Sequence, residues 1–382
     1  MMKRIILASI LLLSSNAFSQ QQMINETFEY DGYNRYQRIV LPENYTEGMP
    51  LVLNLHGYTS NGWQEMIYTG MNETADNNDF VLVYPNGLYD SYGLQFWDSG
   101  VDYEEVDDVG YINALIDTMI TNYQIDESRV YVCGMSNGGA MAHQLACDLG
   151  GRIAAVASVT GTMNTTMYDN CYPERAIPVM QIHGTKDVVF PYYGMTENWI
   201  MGTTLPIDGV VAHWVWENWC WSVDSTNLPD IDPTDFSTIT KYTYSNCTDN
   251  VSVELYKIHG GGHTWPNGFQ IPWQPWTNRD INTNQVIWDF FSQYSLPTPT
   301  STEELVQSEL IIAPNPMQSE TEISSPQLIK SISLFDLSGR KVMEEWSNSY
   351  QTTLQASHLP KGIYILEVNT TDALLREKLV IQ

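Results

Sequence analysis

The sequence predicts an α/β fold, a mainly parallel sheet with helices on both faces, followed by a small all-β sandwich domain. Short apolar runs alternate with helical patterns between about Phe28 and Tyr294, which is typical of a parallel sheet buried on both sides. A segment rich in Pro, Thr and Ser follows this region. The C-terminal part then carries short alternating runs separated by turn residues, which predicts antiparallel strands.

Five apolar runs predict the buried strands of the first domain, at residues 51–55, 80–84, 130–133, 179–183 and 251–258. Apolar residues at helical spacing predict helices at residues 109–123, 137–149 and 282–294. The stretch 192–244 differs because it is rich in Trp, Asn, Asp and Pro. Two interpretations of this stretch stay open: a lid over a functional site, or an aromatic patch of the core beneath a long excursion.

The composition indicates a globular protein, since 43% of the 382 residues are hydrophobic. The chain has 17 Lys and Arg against 45 Asp and Glu, which gives a formal net charge of −28. A field of this sign repels nucleic acid and anionic membranes, so we expect neither as a partner. Its ordinary effect is to keep the protein soluble.

The chain begins with the pattern of an export signal. Lys3 and Arg4 precede an apolar run that is too short to span a membrane, and Ala17-Phe18-Ser19 forms a small-x-small cleavage site. We therefore expect a secreted protein located outside the cell or at its surface. The expected segments are a signal peptide at 1–19, an α/β domain at 20–296, a Pro/Thr/Ser linker at 297–308 and a C-terminal domain at 309–382.

Export permits disulfides, and at least one of the five cysteines must stay unpaired. Cys133 lies in the apolar run 130–133, so we expect it to be a buried free thiol. Proximity along the chain favours the pairs Cys147–Cys171 and Cys220–Cys247, although spacing alone does not determine connectivity.

The pentapeptide Gly134-Met135-Ser136-Asn137-Gly138 matches the pattern G-x-S-x-G between a predicted strand and a predicted helix. A serine on such a sharp turn is held out toward substrate, and side chains at the flanking glycines would clash. We therefore expect Ser136 to be a nucleophile. The alternative, a glycine-rich turn without a catalytic role, does not account for the strand and helix on either side.

A serine hydroxyl needs a base, and the base needs a carboxylate that orients it. Asp187 ends the loop after the strand 179–183, which is the position expected for the acid. The Gly-rich loop after the strand 251–258 offers His259 and His263. We expect His263 to be the base, because the glycines place it beyond the strand end, and His259 to be structural. The chain order Ser136, Asp187, His263 is that of the α/β-hydrolase fold.

An oxyanion that forms beside the serine needs two backbone N–H donors. We expect one from Asn137, which follows the nucleophile, and the other from Tyr58 in the loop after the strand 51–55. The N–H of Thr59 is a fair alternative to that of Tyr58.

The pair Asp107-Asp108 precedes a predicted helix, so we expect it to cap that helix rather than to compete as a catalytic acid. Spacings typical of zinc or calcium ligands do not occur in the chain, so neither a metal nor a cofactor is expected.

With these residues in place, the first domain resembles the polyhydroxybutyrate depolymerase/feruloyl esterase group of secreted α/β-hydrolases, from about Tyr36 to Tyr294. The motifs that carry the resemblance are Leu55-His56-Gly57, Val106-Asp107-Asp108-Val109-Gly110-Tyr111, Arg129-Val130-Tyr131-Val132 before Gly134, His183-Gly184-Thr185 with Asp187, and Gly261-Gly262-His263-Thr264-Trp265-Pro266. The resemblance implies a serine esterase with Ser136, Asp187 and His263 as its triad, and it implies the same two disulfides. The group often carries a cysteine after the His-Gly of the oxyanion loop, where this chain has Tyr58.

The C-terminal domain is similar to the type IX secretion sorting domain of Bacteroidetes. The resemblance rests on Ala313-Pro314-Asn315-Pro316, Leu334-Phe335-Asp336-Leu337-Ser338-Gly339-Arg340-Lys341-Val342, Leu359-Pro360-Lys361-Gly362-Ile363-Tyr364 and Lys378-Leu379-Val380. It implies export by the type IX machinery, with release or attachment at the cell surface. A carbohydrate-binding module is the alternative, which the absence of a cluster of aromatic residues in the sequence disfavours.

The expected reaction is two-step hydrolysis of a carboxylic ester, small or attached to a polymer, without a cofactor. By the resemblance, the ester belongs to a polyhydroxyalkanoate or to feruloyl or acetyl groups on plant polysaccharides. One alternative is a serine peptidase of the prolyl-oligopeptidase type, which usually carries a large N-terminal propeller, and the stretch before Leu51 leaves no room for one. Another is a non-catalytic binding protein on a hydrolase scaffold, which would normally have lost a member of the triad.

Overall fold

The computed structural model describes residues 21–100, 106–198, 201–297, 310–335, 341–371 and 374–381. The expected signal peptide 1–19, the linker beyond residue 297 and the motif Ser338-Gly339-Arg340 lie outside the described residues. The chain forms two compact units, and the boundary between them falls between Thr298 and Pro299.

The first unit contains strands and helices that alternate along the chain. Its strands are β1 (Gln22–Tyr30), β2 (Tyr33–Leu41), β3 (Leu51–Leu55), β4 (Val81–Pro85), β5 (Leu88–Tyr89), β6 (Gln95–Phe96), β7 (Val130–Met135), β8 (Ala155–Val159), β9 (Val179–Gly184), β10 (Met195–Asn198), β11 (Gly202–Thr204), β12 (Ser222–Asn227), β13 (Thr238–Ser245) and β14 (Val253–His259). Its helices are α1 (Gly62–Thr69), α2 (Asn72–Asn77), α3 (Asp108–Tyr123), α4 (Asn137–Asp148), α5 (Thr165–Asn170), α6 (Ile207–Glu217) and α7 (Thr283–Phe291).

Ten strands form the main sheet in the order β1-β2-β4-β3-β7-β8-β9-β14-β13-β12. The six central strands, from β4 to β14, pair in parallel. The hairpins β1–β2 and β12–β13 extend the sheet with antiparallel pairing at its two edges. The predicted buried strands all belong to the parallel centre, because apolar runs without alternation suit strands covered on both faces.

Helices cover both faces of this sheet, as the fold class predicted. Successive side chains of β3 point to opposite faces, so Leu51 and Leu53 join one apolar core while Val52 joins the other. Helices α3, α4 and α6 contribute buried residues to the first core, and α1, α2 and α7 contribute to the second. The α/β fold class is therefore confirmed.

The Trp-rich stretch 192–244 contains the hairpin β10–β11, helix α6, strand β12 and most of β13. Trp214 of α6 is fully buried in the core, whereas Trp221 is 64% exposed before β12. Part of the stretch is therefore a covering helix of the sheet, and strands β13 and β12 form one edge of the main sheet. Trp199 lies outside the described residues.

The second unit is an antiparallel β domain. Its five strands are β15 (Ile311–Ala313), β16 (Glu320–Phe335), β17 (Lys341–Gln355), β18 (Gly362–Thr370) and β19 (Leu374–Ile381). The long strand β16 pairs with β15, β17 and β18, and its alternating side chains Ile323, Ile332 and Leu334 lie in a separate apolar core.

Disulfides join Cys147 to Cys171 and Cys220 to Cys247, and Cys133 is a buried free thiol. Burial raises the pKa of the Cys133 thiol well above its usual value, so this group is inert rather than reactive. Within the described ranges, no helix has the length and apolar character needed to cross a membrane.

Candidate active site

Ser136 occupies a strained turn between strand β7 and helix α4. Its backbone has φ 58° and ψ −120°, a conformation that a residue with a side chain rarely adopts. The flanking glycines make the turn feasible, since a Cβ on Gly134 would lie 2.6 Å from the backbone of Gly138. A Cβ on Gly138 would lie 2.2 Å from the carbonyl oxygen of Leu55. The turn therefore has the geometry of the nucleophile turn that G-x-S-x-G predicts.

Asp187 and His263 form a buried hydrogen-bonded pair. His263 Nδ1 lies 2.7 Å from Asp187 Oδ2, while Asp187 Oδ1 accepts the N–H groups of Val189 and Phe190 at 2.8 and 2.9 Å. Burial favours the protonated carboxyl, but the neighbouring His263 and His183 outweigh it and hold the pKa of Asp187 below its usual range. Asp187 is therefore ionised near neutral pH and orients the imidazole of His263.

The carboxyl ends of neighbouring strands bring these residues to one edge of the sheet. Hydrogen bonds join the carboxyl ends of β7, β8, β9 and β14 in turn. They run from Ser136 N–H to Val159 O, from Thr160 N–H to Ile182 O, and from Lys186 N–H to Gly261 O. Ser136, Asp187 and His263 thus follow strands that end at the same edge. Among the described residues, the hydroxyl of Ser136 makes no hydrogen bond. This is common before substrate binds, because catalytic hydrogen bonds are often long in the free enzyme.

A chain of buried hydrogen bonds also reaches Asp187, through His183. Trp214 Nε1 donates to His143 Nδ1 at 3.1 Å, so the proton of His143 is on Nε2, which donates to Gln181 Oε1 at 2.9 Å. Gln181 Nε2 donates to His183 Nδ1 at 3.2 Å, which leaves the His183 proton on Nε2. His183 Nε2 donates to Phe190 O at 2.8 Å and lies 3.3 Å from Asp187 Oδ2.

We call Trp214, His143, Gln181 and His183 the buried relay. Each member is itself buried, and burial lowers the pKa of His143 to about 4, so His143 is neutral near pH 7. His183 belongs to a motif of the sequence, but no pattern in the sequence indicates a role for His143 or Gln181. Their side chains meet only in the folded sheet, so no local pattern predicts the relay.

The loop after β3 lies directly against the nucleophile. A Cβ on Gly57 would be 3.3 Å from Ser136 Cβ, so a side chain at this position would crowd the serine. The N–H of Thr59, the alternative oxyanion donor of this loop, donates to Gln95 O at 2.8 Å. Asn137 is the first residue of α4, and N–H groups in the first turn of a helix have no partner within the helix.

His56 fixes the orientation of the Gly57–Tyr58 peptide. Its Nε2 accepts the N–H of Gly87 at 3.0 Å, so Nδ1 carries the proton and donates to Gly57 O at 2.8 Å. Burial lowers the pKa of His56 to about 4, which keeps this arrangement over the neutral pH range. Because a peptide is planar, holding Gly57 O also sets the direction of the Tyr58 N–H.

The segment 87–97, which contains the hairpin β5–β6, supports both expected oxyanion donors. The Asn137 side chain accepts the N–H of Trp97 at 2.7 Å and donates to Trp97 O at 2.9 Å. The Tyr58 hydroxyl donates to Asp90 Oδ2 at 2.6 Å. Burial and this bond raise the pKa of Tyr58 to about 12. No pattern in the sequence indicated that the segment 87–97 supports the oxyanion donors.

The two neighbouring aspartates before α3 differ in their partners. Asp107 caps the helix through the N–H of Gly110 at 2.7 Å, in agreement with its expected structural role. Asp108 forms a buried ion pair with Arg35 at 2.8 Å and accepts the N–H of Asp98 at 2.8 Å. His259, at the end of β14, hydrogen-bonds Thr240 Oγ1 and is exposed. In the part of the chain that the structure describes, no group of three His, Cys, Asp or Glu side chains is placed to hold a metal ion.

The mainly parallel sheet and the strained strand-to-helix turn define a protein of the α/β-hydrolase class. Residues 35–212 match the family described as esterase PHB depolymerase. Residues 311–382 match the secretion system C-terminal sorting domain, which indicates that the protein is secreted to the cell surface or the extracellular space.

Several esterases have sequences similar to that of this chain. The chain is 28% identical over 280 residues to a bifunctional acetylxylan esterase/xylanase from Neocallimastix patriciarum, a match that covers 73% of this chain and 36% of that protein. It is 26% identical over 268 residues to feruloyl esterase B from Piromyces equi, covering 68% of this chain and 45% of that protein. The chain thus spans less than half the length of these two relatives. The solved structure of an acetyl xylan esterase from Aspergillus awamori has the same fold, with a TM-score of 0.51, 16% identity and coverage of 71% of this chain and 98% of that one.

Proposed function

We propose that the protein hydrolyses carboxylic esters through an acyl-enzyme at Ser136. The hydrogen bond of 2.7 Å between His263 and the ionised Asp187, at the sheet edge where Ser136 occupies its strained turn, is the observation that carries the proposal. The similarity of the sequence to those of esterases supports the same reaction.

In the first step Ser136 Oγ attacks the ester carbonyl while His263 Nε2 takes the hydroxyl proton. The developing oxyanion accepts hydrogen bonds from the N–H groups of Tyr58 and Asn137. His263 then gives its proton to the leaving alcohol. In the second step His263 takes a proton from water, which attacks the acyl-serine. His263 then returns that proton to Ser136 Oγ as the bond to the acyl group breaks, which releases the acid and restores the serine. Asp187 holds the imidazole in one tautomer and stabilises its charge throughout.

The proposed substrates are feruloyl or acetyl esters of plant polysaccharides, or a polyhydroxyalkanoate. The names of the acetylxylan esterase and feruloyl esterase relatives support the first class, and the family description supports the second. Polyhydroxyalkanoates and the unsubstituted backbones of xylans are uncharged, which suits a chain with a net charge of −28.

The test compares the wild-type protein with Ser136→Ala on p-nitrophenyl acetate, methyl ferulate, acetylated xylan and polyhydroxybutyrate. We expect Ser136→Ala to lower kcat/KM by at least about a thousandfold, because the nucleophile is removed. Ser292→Ala, an exposed serine after α7, is the control and should keep wild-type rates.

Labelling with a fluorophosphonate separates the remaining possibilities. The wild-type protein should be labelled at Ser136 and the Ser136→Ala variant should not be. Equal activity of the two proteins on esters would contradict the proposal. Labelling of Ser136 with cleavage of peptides alone would favour a serine peptidase, and the absence of labelling would favour a binding protein.

We also propose that the second unit is recognised by the type IX secretion machinery. The match of residues 311–382 to a sorting domain supports this role. A chain that ends at residue 298 should remain in the periplasm of a host with this machinery, while the full chain reaches the medium or the cell surface. Export of the shortened chain at the level of the full one would contradict this role.

A further inference from the structure

The loop that follows His263 presents aromatic side chains to solvent. Phe269, Trp273 and Trp276 are exposed by 59%, 79% and 45%. Phe236, which is 66% exposed, contacts Trp276 with the two ring centroids 4.8 Å apart. We call these four residues the aromatic rim.

The part of the loop that carries Trp273 and Trp276 is hydrogen-bonded to the backbone at the candidate base. The N–H of His263 donates to the side-chain oxygen of Gln274, which lies between the two tryptophans, at 3.3 Å. The N–H of Gly262 donates to Trp276 O at 3.1 Å. A ligand on the rim therefore lies next to the residue that takes the serine proton.

Gln270 holds this loop in a defined shape. Its Nε2 donates to the carbonyl oxygens of Ile271, Gln274 and Pro275 at 2.8, 3.2 and 3.3 Å, and its Oε1 accepts the N–H of Thr277 at 2.8 Å. Pro272 and Pro275, on either side of Trp273, restrict the backbone of the loop further. A preorganised loop loses little conformational entropy when a ligand binds.

The chemistry of the loop indicates a neutral ligand whose rings present a face of C–H groups. No Asp, Glu, Lys or Arg occurs between residues 258 and 278, although the chain carries a net charge of −28. An exposed indole combines a flat apolar face with an N–H donor. Sugar rings offer C–H groups to such a face and hydroxyl groups to such a donor, whereas an aliphatic polyester has neither rings nor hydroxyl groups along its chain.

We propose that the aromatic rim binds the neutral sugar backbone of a polysaccharide and holds its ester group beside Ser136 and His263. This inference rests on the proposed ester hydrolysis and selects carbohydrate polymers over polyesters as its substrates. Trp273 and Trp276 provide the stacking surfaces, and Phe236 extends the one formed by Trp276.

The test measures binding without turnover. The full chain carrying Ser136→Ala is incubated with insoluble xylan free of ester groups, and the protein left in solution is quantified. Adding Trp273→Ala and Trp276→Ala should weaken binding by a factor of about 2 to 10 for each ring removed. Trp273→Tyr keeps a flat ring and should retain most of the affinity.

Trp346→Ala in the second unit is the matched control, because Trp346 is 80% exposed, and it should bind xylan like the parent chain. Equal unfolding temperatures of all variants will show that each is folded. Unchanged xylan binding in the double tryptophan variant would overturn the inference. A loss of binding to polyhydroxybutyrate films with unchanged binding to xylan would overturn it equally and assign the rim to a polyester.

The outcomes for this inference and for the proposed function can be told apart. Hydrolysis of p-nitrophenyl acetate by a wild-type chain that does not bind xylan would refute the role of the rim alone. Binding of xylan that depends on Trp273 and Trp276, in a chain that hydrolyses no ester, would support the rim and refute the proposed reaction.

Discussion

Asp187 has two histidine neighbours, and this explains how a buried carboxylate can stay ionised. His263 is one of these neighbours, and His183, the last member of the buried relay, is the other; both lie close to Oδ2 of the carboxylate. Burial favours the neutral acid, yet these neighbours together lower its pKa below the usual range. Because Trp214 can only donate, the direction of every bond in the relay follows from that one indole. The relay therefore fixes which nitrogen of His183 faces the carboxylate.

Gln181→Met should lower kcat by about tenfold with little change in KM. The substitution keeps the side-chain volume but removes the bonds to His143 and His183, so His183 no longer has a fixed tautomer beside Asp187. Hydrolysis of p-nitrophenyl acetate at several substrate concentrations separates the two constants.

The control is Met180→Ala on the same strand. Met180 is fully buried in the core on the other face of the sheet, so this variant loses packing without contacting the relay. It should unfold more easily while keeping its kcat. An equal fall of kcat in both variants would indicate general loosening of the strand and would refute the positioning role of Gln181.

Helix α1 packs on the sheet with an acidic residue on its buried face. Glu65 is 2% exposed, and among the described side chains none hydrogen-bonds its Oε1. Burial raises the pKa of this carboxyl to about 8. Glu65 is therefore protonated in the folded protein at neutral pH, whereas in the unfolded chain it ionises near pH 4.5.

This shift makes the stability of the fold depend on pH. The folded state binds one more proton than the unfolded state between about pH 4.5 and pH 8, so the free energy of unfolding falls as pH rises through this window. The full loss is about 4 to 5 kcal/mol from this one group. Glu65→Gln is always neutral and should lose less stability than wild type between pH 5 and pH 8, as measured by urea unfolding.

Glu73→Gln on helix α2 is the matched control, since Glu73 is exposed. This variant should follow the pH profile of the wild-type protein. Parallel profiles for the wild-type protein and Glu65→Gln would show that Glu65 does not ionise with the expected pKa.

The candidate active site and the region that matches a sorting domain lie in different units of the molecule. Every residue of the candidate site, from Tyr58 to His263, belongs to the first unit, and the second unit has its own apolar core. A core of its own allows each unit to fold independently.

The chain that ends at residue 298 should therefore keep the kcat/KM of the full protein on p-nitrophenyl acetate to within about twofold. Both chains are purified after expression in the same host without type IX secretion, so that export does not bias the comparison. A large loss of kcat/KM in a folded shortened chain would mean that the second unit contributes to catalysis.

Local patterns were sufficient for the parts of this protein that depend on neighbours in sequence. Apolar runs predicted five of the six parallel strands but not β8, and the glycines around Ser136 determined the sharp turn, because no larger residue fits there. The positions of Asp187 and His263 also followed from the sequence, since each lies in a loop just after a predicted strand. Sequence proximity and family resemblance also led to the two cysteine pairs found in the structure.

Only the tertiary structure decided which distant side chains support these residues. The bond between Trp214 and His143 spans 71 positions, the pair Arg35–Asp108 spans 73, and the contact of Asn137 with Trp97 spans 40. Such contacts leave no periodic signal in the sequence, because each needs a particular side chain at one place in space. Antiparallel pairing of the edge strands and the aromatic rim beside His263 arise in the same way, from elements that meet only when the sheet is complete.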